Sequence, residues 1–171
     1  MSGSRKLAAA HLLLLFLPCL FVSCRKKTET EIIAALIADM AVKAEKRDLA
    51  GLIGNLADCF RDFQGRDRSQ TAALIENYFG HYRGIVIHVL ASRIVIEDAQ
   101  TAAVETDLSL SSGAAQAFRK LIRFSGENYR FQCRLRKNGR WLVSDAQWEF
   151  IQVENLFPES LKILRELFPN L

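Results

Sequence analysis

The 171-residue chain has little of what would mark it as a nucleic-acid binder, a membrane-spanning protein or a repeat array. It carries four cysteines, three histidines and three prolines. No acidic residue precedes Glu29. The apolar stretch from Leu7 to Val22 is shorter than the roughly 20 residues that span hydrocarbon. There is no internal repeat, low-complexity tract or long linker. No nucleophile elbow, phosphate loop or cluster of metal ligands occurs, so neither a metal nor another cofactor is expected.

What is present begins with a leader. Arg5 and Lys6 open the chain, and Leu12 to Leu17 form the apolar centre. A basic start followed by a short apolar run reads as a secretory signal. The run ends in Phe21-Val22-Ser23-Cys24. This resembles the lipobox of bacterial lipoprotein precursors, where a small residue precedes the cysteine that is lipidated. The resemblance implies a signal peptide over 1–23, lipid on Cys24, and a short tether over 24–30. An uncleaved anchor helix is the alternative. Arg25 stands where these proteins carry Asp when retained in the inner membrane. The implied location is therefore the outer membrane facing the periplasm, in an organism that has one. Arg25, Lys26 and Lys27 can add attraction to anionic headgroups or serve as linker charges.

Removing 1–23 takes away two of the 23 basic residues, leaving 21 − 19 = +2 against +4 for the whole chain. Much of the basicity belongs to the leader and the tether, and no nucleic-acid partner is expected. Cys59 and Cys133 lie in the exported part. They are either a disulfide or two small apolar side chains, since spacing alone does not show proximity.

Helices come first. Thr28 or Thr30 can cap one running to about Lys46, with Ile32, Ile33, Leu36, Ile37, Met40 and Ala44 on its apolar side. Asp48 can cap a second, striped by Leu49, Leu52, Ile53 and Leu56. Asp58 to Arg68 reads as a polar loop holding Gly65. Ser69 can cap a third helix through Tyr82. From Ile85 the pattern turns to β. Ile85–Glu97 is one strand, and Asp98 to Gln100 a turn. In Ala102–Leu110, Val104, Thr106, Leu108 and Leu110 oppose Glu105 and Asp107. The stretch 111–126 is ambiguous. In Asn128–Arg136, Tyr129, Phe131, Cys133 and Leu135 face one way. Arg130, Gln132, Arg134 and Arg136 face the other. Asn138-Gly139 signals a hairpin into a strand from Arg140 to Phe150. A helix follows over Pro158 to Phe168. Side by side, Glu105 and Asp107 would meet Arg130, Arg134 or Arg136 across one face, as ion pairs or as part of a basic patch for an anionic partner.

Helices before a meander of strands give an α+β class. The order of elements resembles the nuclear transport factor 2-like superfamily, also called SnoaL-like or ketosteroid-isomerase-like. The features that carry the likeness are Lys46-Arg47-Asp48-Leu49, Leu56-Ala57-Asp58-Cys59-Phe60 and Asn138-Gly139-Arg140-Trp141-Leu142-Val143. The resemblance implies a cystatin-like cone, with N-terminal helices packed on a curved antiparallel sheet over 31–153. A helical extension over 154–171 is additional. It also implies a conical pocket, for which Phe60, Tyr78, Tyr82, Tyr129 and Phe131 are candidates, and a homodimer through the sheet.

Some members of that superfamily are isomerases that use a carboxylate base. Such a base needs an apolar pocket that raises its pKa. Asp58, Tyr78 and His88 are the candidates, each with a plainer role available. Asp58 can be solvated beside Arg61, Arg66 and Arg68. Tyr78 can be a core aromatic with a wet hydroxyl, and His88 a strand residue. The favoured expectation is a non-enzymatic envelope lipoprotein binding a small ligand or protein partner. The alternative is a small-molecule isomerase or hydrolase.

Overall fold

The computed structural model describes residues 26–82, 84–111 and 127–152. The expected leader, Cys24, the stretch 112–126 and the expected helical extension over 154–171 therefore lie outside the described residues. Three helices precede or interrupt five strands: α1 (Glu29–Glu45), α2 (Leu49–Gly54), β1 (Leu56–Asp62), α3 (Arg68–His81), β2 (Val86–Ile96), β3 (Thr101–Ser111), β4 (Glu127–Asn138) and β5 (Arg140–Ile151).

Local chemistry sets the helix starts. Thr28 closes a capping box on α1: its hydroxyl accepts from Glu31 N at 3.2 Å, and Glu31 Oε2 accepts from Thr28 N at 2.7 Å. Two otherwise orphaned donors are thereby satisfied, worth about 1 kcal/mol. Asp48 caps α2 through Gly51 N at 2.8 Å. The cap of α3 is Asp67, two residues before the expected Ser69. Its carboxylate takes both Ser69 N and Gln70 N, which an un-ionised serine hydroxyl does less well.

The sheet order is β1-β5-β4-β3-β2. β2, β3, β4 and β5 pair as an antiparallel meander, and Gly139, at φ +68°, makes the last reversal. The expected loop from Asp58 is not a loop at its start. Leu56–Asp62 forms β1, which adds to β5 in parallel, so the sheet is mixed rather than wholly antiparallel. Its burial pattern doubles up at both Leu56-Ala57 and Asp58-Cys59, so no period of two exposes it in the sequence.

The core lies between α1 and one sheet face. Ile33, Leu56, Phe60, Ala102, Val104, Leu135, Trp141 and Val143 are buried together, with Leu36, Ile37 and Met40 packed against them. A full side chain of this kind contributes roughly 1.5–3 kcal/mol by leaving water. Glu29 fixes the start of α1 onto the β4–β5 turn, accepting from Lys137 Nζ and Trp141 Nε1, each at 2.6 Å. The facing of β4 is as expected, but the depth is not. Leu135 is fully buried, whereas Tyr129 and Phe131 are half-buried, and Arg134 is exposed.

Candidate ligand-binding site

Beyond the core, the same inner face carries aromatic rings instead of aliphatic side chains. The ladder places Tyr129 opposite Phe150 and Phe131 opposite Trp148. Tyr129 and Phe150 meet edge to face at 5.9 Å, and Phe131 stacks on Trp148 at 5.7 Å. From the β1 end, Phe63 meets Trp148 edge-on at 4.8 Å. At the end of α3, Tyr78 of the last turn and the capping residue Tyr82 stack at 6.1 Å. The rings are not packed away. Phe150 is 61% exposed, Tyr78 51%, Phe63 51% and Tyr82 45%. Apolar rings left this open, held by one another in fixed orientations, form a binding surface ready to accept a flat apolar group.

The polar fittings around them are few. Tyr129 donates its hydroxyl to Glu127 Oε2 at 2.7 Å. Burial and the Glu127 carboxylate push this phenol up to about 12, with Tyr78 and Tyr82 adding to the effect, so it is a neutral donor at ordinary pH. Arg66 lies 5.7 Å over the Trp148 ring. It also closes on Asp62, whose side chain is wholly buried, at 2.6 Å. Asp62 takes Gln64 N and Arg66 N as well, each at 2.9 Å. Burial alone would raise this carboxyl, but the guanidinium and the two backbone donors outweigh it and hold the group below its ordinary 3.8. A carboxylate so fully occupied has no lone pair aimed at a substrate proton, and it acts as a structural anchor.

The candidate residues from the sequence separate on inspection. Tyr78, Tyr82, Tyr129 and Phe131 fall in the aromatic cluster. Phe60 does not: at 2% exposure it belongs to the core beneath α1. Phe63, Trp148 and Phe150 complete the cluster and were not expected; the Tyr129/Phe131 alternation, continued across the hairpin, is the signal that points to the last two. Asp58 projects into solvent, 98% exposed, and receives Arg68 at 2.6 Å. It lies on β1, whereas His88 lies on β2 at the other edge of the sheet. His88 pairs with Ser109, away from the aromatic face, and its Nε2 is buried without a hydrogen-bond partner among the described residues. Asp58, Tyr78 and His88 therefore do not share one enclosure.

Cys59 and Cys133 are both free thiols. Cys59 faces solvent from β1, and Cys133 sits against the core from β4 with β5 between them. The expected possibility of a disulfide thus fails on geometry. Among the described residues no group of three or more potential metal ligands occurs, and no helix is long and apolar enough to cross a membrane.

Neither a family model nor a curated protein matches the chain. Solved structures do. A Nostoc punctiforme protein of unknown function with a cystatin-like fold matches with a TM-score of 0.59 and 16% identity, over 75% of this chain and 96% of that one. The fold is the cystatin-like cone. The hexachlorocyclohexane dehydrochlorinase of Novosphingobium barchaimii matches with a TM-score of 0.56 and 12% identity, over 71% and 85%. A Bdellovibrio bacteriovorus protein gives 0.58 and 13% over 71% of this chain, which spans only 40% of that longer one. The cone's structural neighbours thus include enzymes and nuclear transport factor 2-like proteins of unknown function.

Proposed function

We propose that this chain is a lipid-anchored lipoprotein of the cell envelope that binds a flat apolar ligand, without catalysis, at the aromatic end of its cone. The open aromatic cluster carries the reading. Four of its rings stand between 45% and 61% exposed, which is costly unless something covers them in use. The leader and Cys24 support attachment. Thr28, which caps α1, follows Cys24 by four residues (28 − 24), so the domain would ride within about 14 Å of the anchor. The outer membrane, with the domain in the periplasm, is the location that Arg25 favours.

The enzymatic alternative draws on the dehydrochlorinase among the neighbours. It needs a carboxylate or imidazole at the aromatic cluster. Asp58 and His88 are directed elsewhere, Asp62 is occupied by Arg66 and two backbone donors, and Glu127, the carboxylate that does reach the cluster, is exposed and takes the Tyr129 hydroxyl.

Two experiments test the proposal. Cys24→Ser should leave the precursor unlipidated and mislocalised; normal cleavage and anchoring of that variant would defeat the lipoprotein reading. The neutral fluorescent probe N-phenyl-1-naphthylamine should brighten on the wild-type chain and fail to do so on Tyr82→Ser with Phe150→Ser. Both positions are exposed, so the fold should survive. Equal brightening of the two proteins would place binding elsewhere.

A further inference from the structure

The outer face of the sheet holds a second feature, bordered at one end by Phe63 of the aromatic cluster. On β3 and β4 the expected acid–base ladder is only partly realised. Asp107 takes Arg130, at 2.8 and 3.2 Å. Glu105, however, takes the amide of Gln132 at 3.0 Å, not an arginine. Gln147 in turn donates to Gln132, giving an amide chain across β5, β4 and β3. Arg93 stands opposite Glu105 and Arg134 opposite Asp145 in the ladder, yet neither they nor Arg136 closes to an ion pair among the described residues.

The register brings these three together. Ala103 pairs directly with Arg134, and its diagonal neighbours are Arg136 on β4 and Arg93 on β2. Direct partners stand about 5 Å apart and diagonal ones about 7–8 Å, within reach of guanidinium side chains. Ala103 is small where its neighbours are long, so it forms the floor of a groove of about 710 Å³. That volume suits a small molecule. Besides the three arginines, Arg61, Glu105 and Asp145 line it. Asp62 also lines it but is neutralised by Arg66. Arg61 likewise pairs with Asp67, at 3.9 Å, so Arg93, Arg134 and Arg136 against Glu105 and Asp145 leave 3 − 2 = +1.

We infer that this groove binds a phosphate group carried on a polar body, held by Arg93, Arg134 and Arg136. A phosphate monoester brings three oxygens that the three separate guanidinium forks can share. A carboxylate offers only two oxygens to the three arginines. The groove is several times larger than a phosphate alone, and the Gln147–Gln132–Glu105 chain presents acceptors and donors along its wall for hydroxyls. The phosphate could reach the groove on a soluble phosphorylated sugar or on a lipid headgroup, and the test separates these sources.

The full-length protein in detergent is treated with phenylglyoxal, and modification of each arginine is followed by mass spectrometry. Glucose 6-phosphate should slow modification of Arg134 and Arg136, glucose should not, and Arg68 should react equally throughout. The same protein reconstituted in phosphatidylglycerol and in phosphatidylcholine vesicles gives the second arm. Protection by glucose 6-phosphate assigns a soluble ligand, and protection by the anionic vesicle alone assigns a headgroup. Either supports the site, provided that Arg134→Gln weakens the protection of Arg136 by about tenfold, as loss of one charged contact should. Absence of protection in both arms overturns the inference. So does protection that Arg134→Gln and Arg93→Gln leave unchanged. Protection with no phosphate present, alongside a dimer by sedimentation, also overturns it, because the face would then be an interface between copies.

Discussion

Replacing either partner of the Asp62–Arg66 pair tests whether that carboxylate is an anchor or a catalyst. Asp62→Asn retains an oxygen that can still accept from Gln64 N and Arg66 N, the two bonds of 2.9 Å. What it loses is the charge-assisted bond from Arg66 Nε at 2.6 Å. Arg66 is 24% exposed and keeps its place over Trp148, so the freed guanidinium can rehydrate. A loss of about 2 kcal/mol is expected. Arg66→Met is the harsher change, because it leaves a fully buried carboxylate with backbone donors only; about 3 kcal/mol is expected. The double variant should lose less than the sum, since neither charge then stands alone. Urea denaturation at pH 7 measures all three.

The pH dependence gives an independent check. Folding holds the Asp62 carboxyl below its ordinary 3.8. A group depressed in this way contributes stability above its unfolded pKa and loses it as pH falls through the folded value. The wild type should therefore lose its advantage over Asp62→Asn as the solution is acidified below about pH 4. Other depressed carboxyls, such as those of Glu29 and Asp98, act equally in both proteins and cancel in the difference. Strict additivity of the two single variants, or a stability difference that does not shrink in acid, would refute the account. Under the anchor reading, binding of the neutral naphthylamine probe by folded Asp62→Asn stays at the wild-type level.

Other consequences follow from burial. Phe60→Ala should cost about 3–5 kcal/mol in urea denaturation, because the ring is almost wholly enclosed. Phe131→Ala should cost less, about 2 kcal/mol, since the half-buried ring loses mainly its stack on Trp148. Thiol labelling followed by peptide mass spectrometry should find Cys59 modified in the native protein and Cys133 only after unfolding. Burial pushes the Cys133 thiol up to about 12, well above the labelling pH. In an ultraviolet titration Glu127→Gln should bring the raised Tyr129 phenol down by removing the facing charge.

Much of the fold was legible because it rests on short-range chemistry. The Thr28 capping box, the Asp48 cap and the Asn138-Gly139 reversal each involve residues within three positions of one another. β1 was illegible because its existence depends on β5, more than 80 residues later. Its backbone pairs Leu56 with Val143 and Asp62 with Ala146, around an irregularity that breaks the alternation of its side chains. A strand made by its partner leaves no period in its own sequence.

The binding surfaces were legible in direction and not in depth, for a related reason. Alternation in Glu127–Asn138 assigns Tyr129, Phe131, Cys133 and Leu135 to one face, and the structure keeps that assignment. Whether a residue on that face is core or surface depends on what lies above it. Leu135 is sealed within the cluster that includes α1 residues, while Phe150, opposite Tyr129, is 61% exposed. The outer face shows the same dependence in charge. Sequence makes Glu105 and Asp107 equivalent partners for the arginines of β4. Register gives Asp107 to Arg130 but sets Glu105 between Gln132 and Arg93, where the Gln132 amide takes its carboxylate, and it sets Arg134 and Arg136 opposite the uncharged Ala103 and Thr101 of β3. The consequence is a direct test of the register argument. Gln132→Lys should draw Glu105 into an ion pair and add a cation to the groove, leaving Arg130–Asp107 intact. If the phosphate site lies over Ala103, this variant should protect Arg134 and Arg136 at lower glucose 6-phosphate concentration than the wild type. Weaker protection in a folded Gln132→Lys protein would mean that the amide chain, rather than the charge excess, holds the ligand.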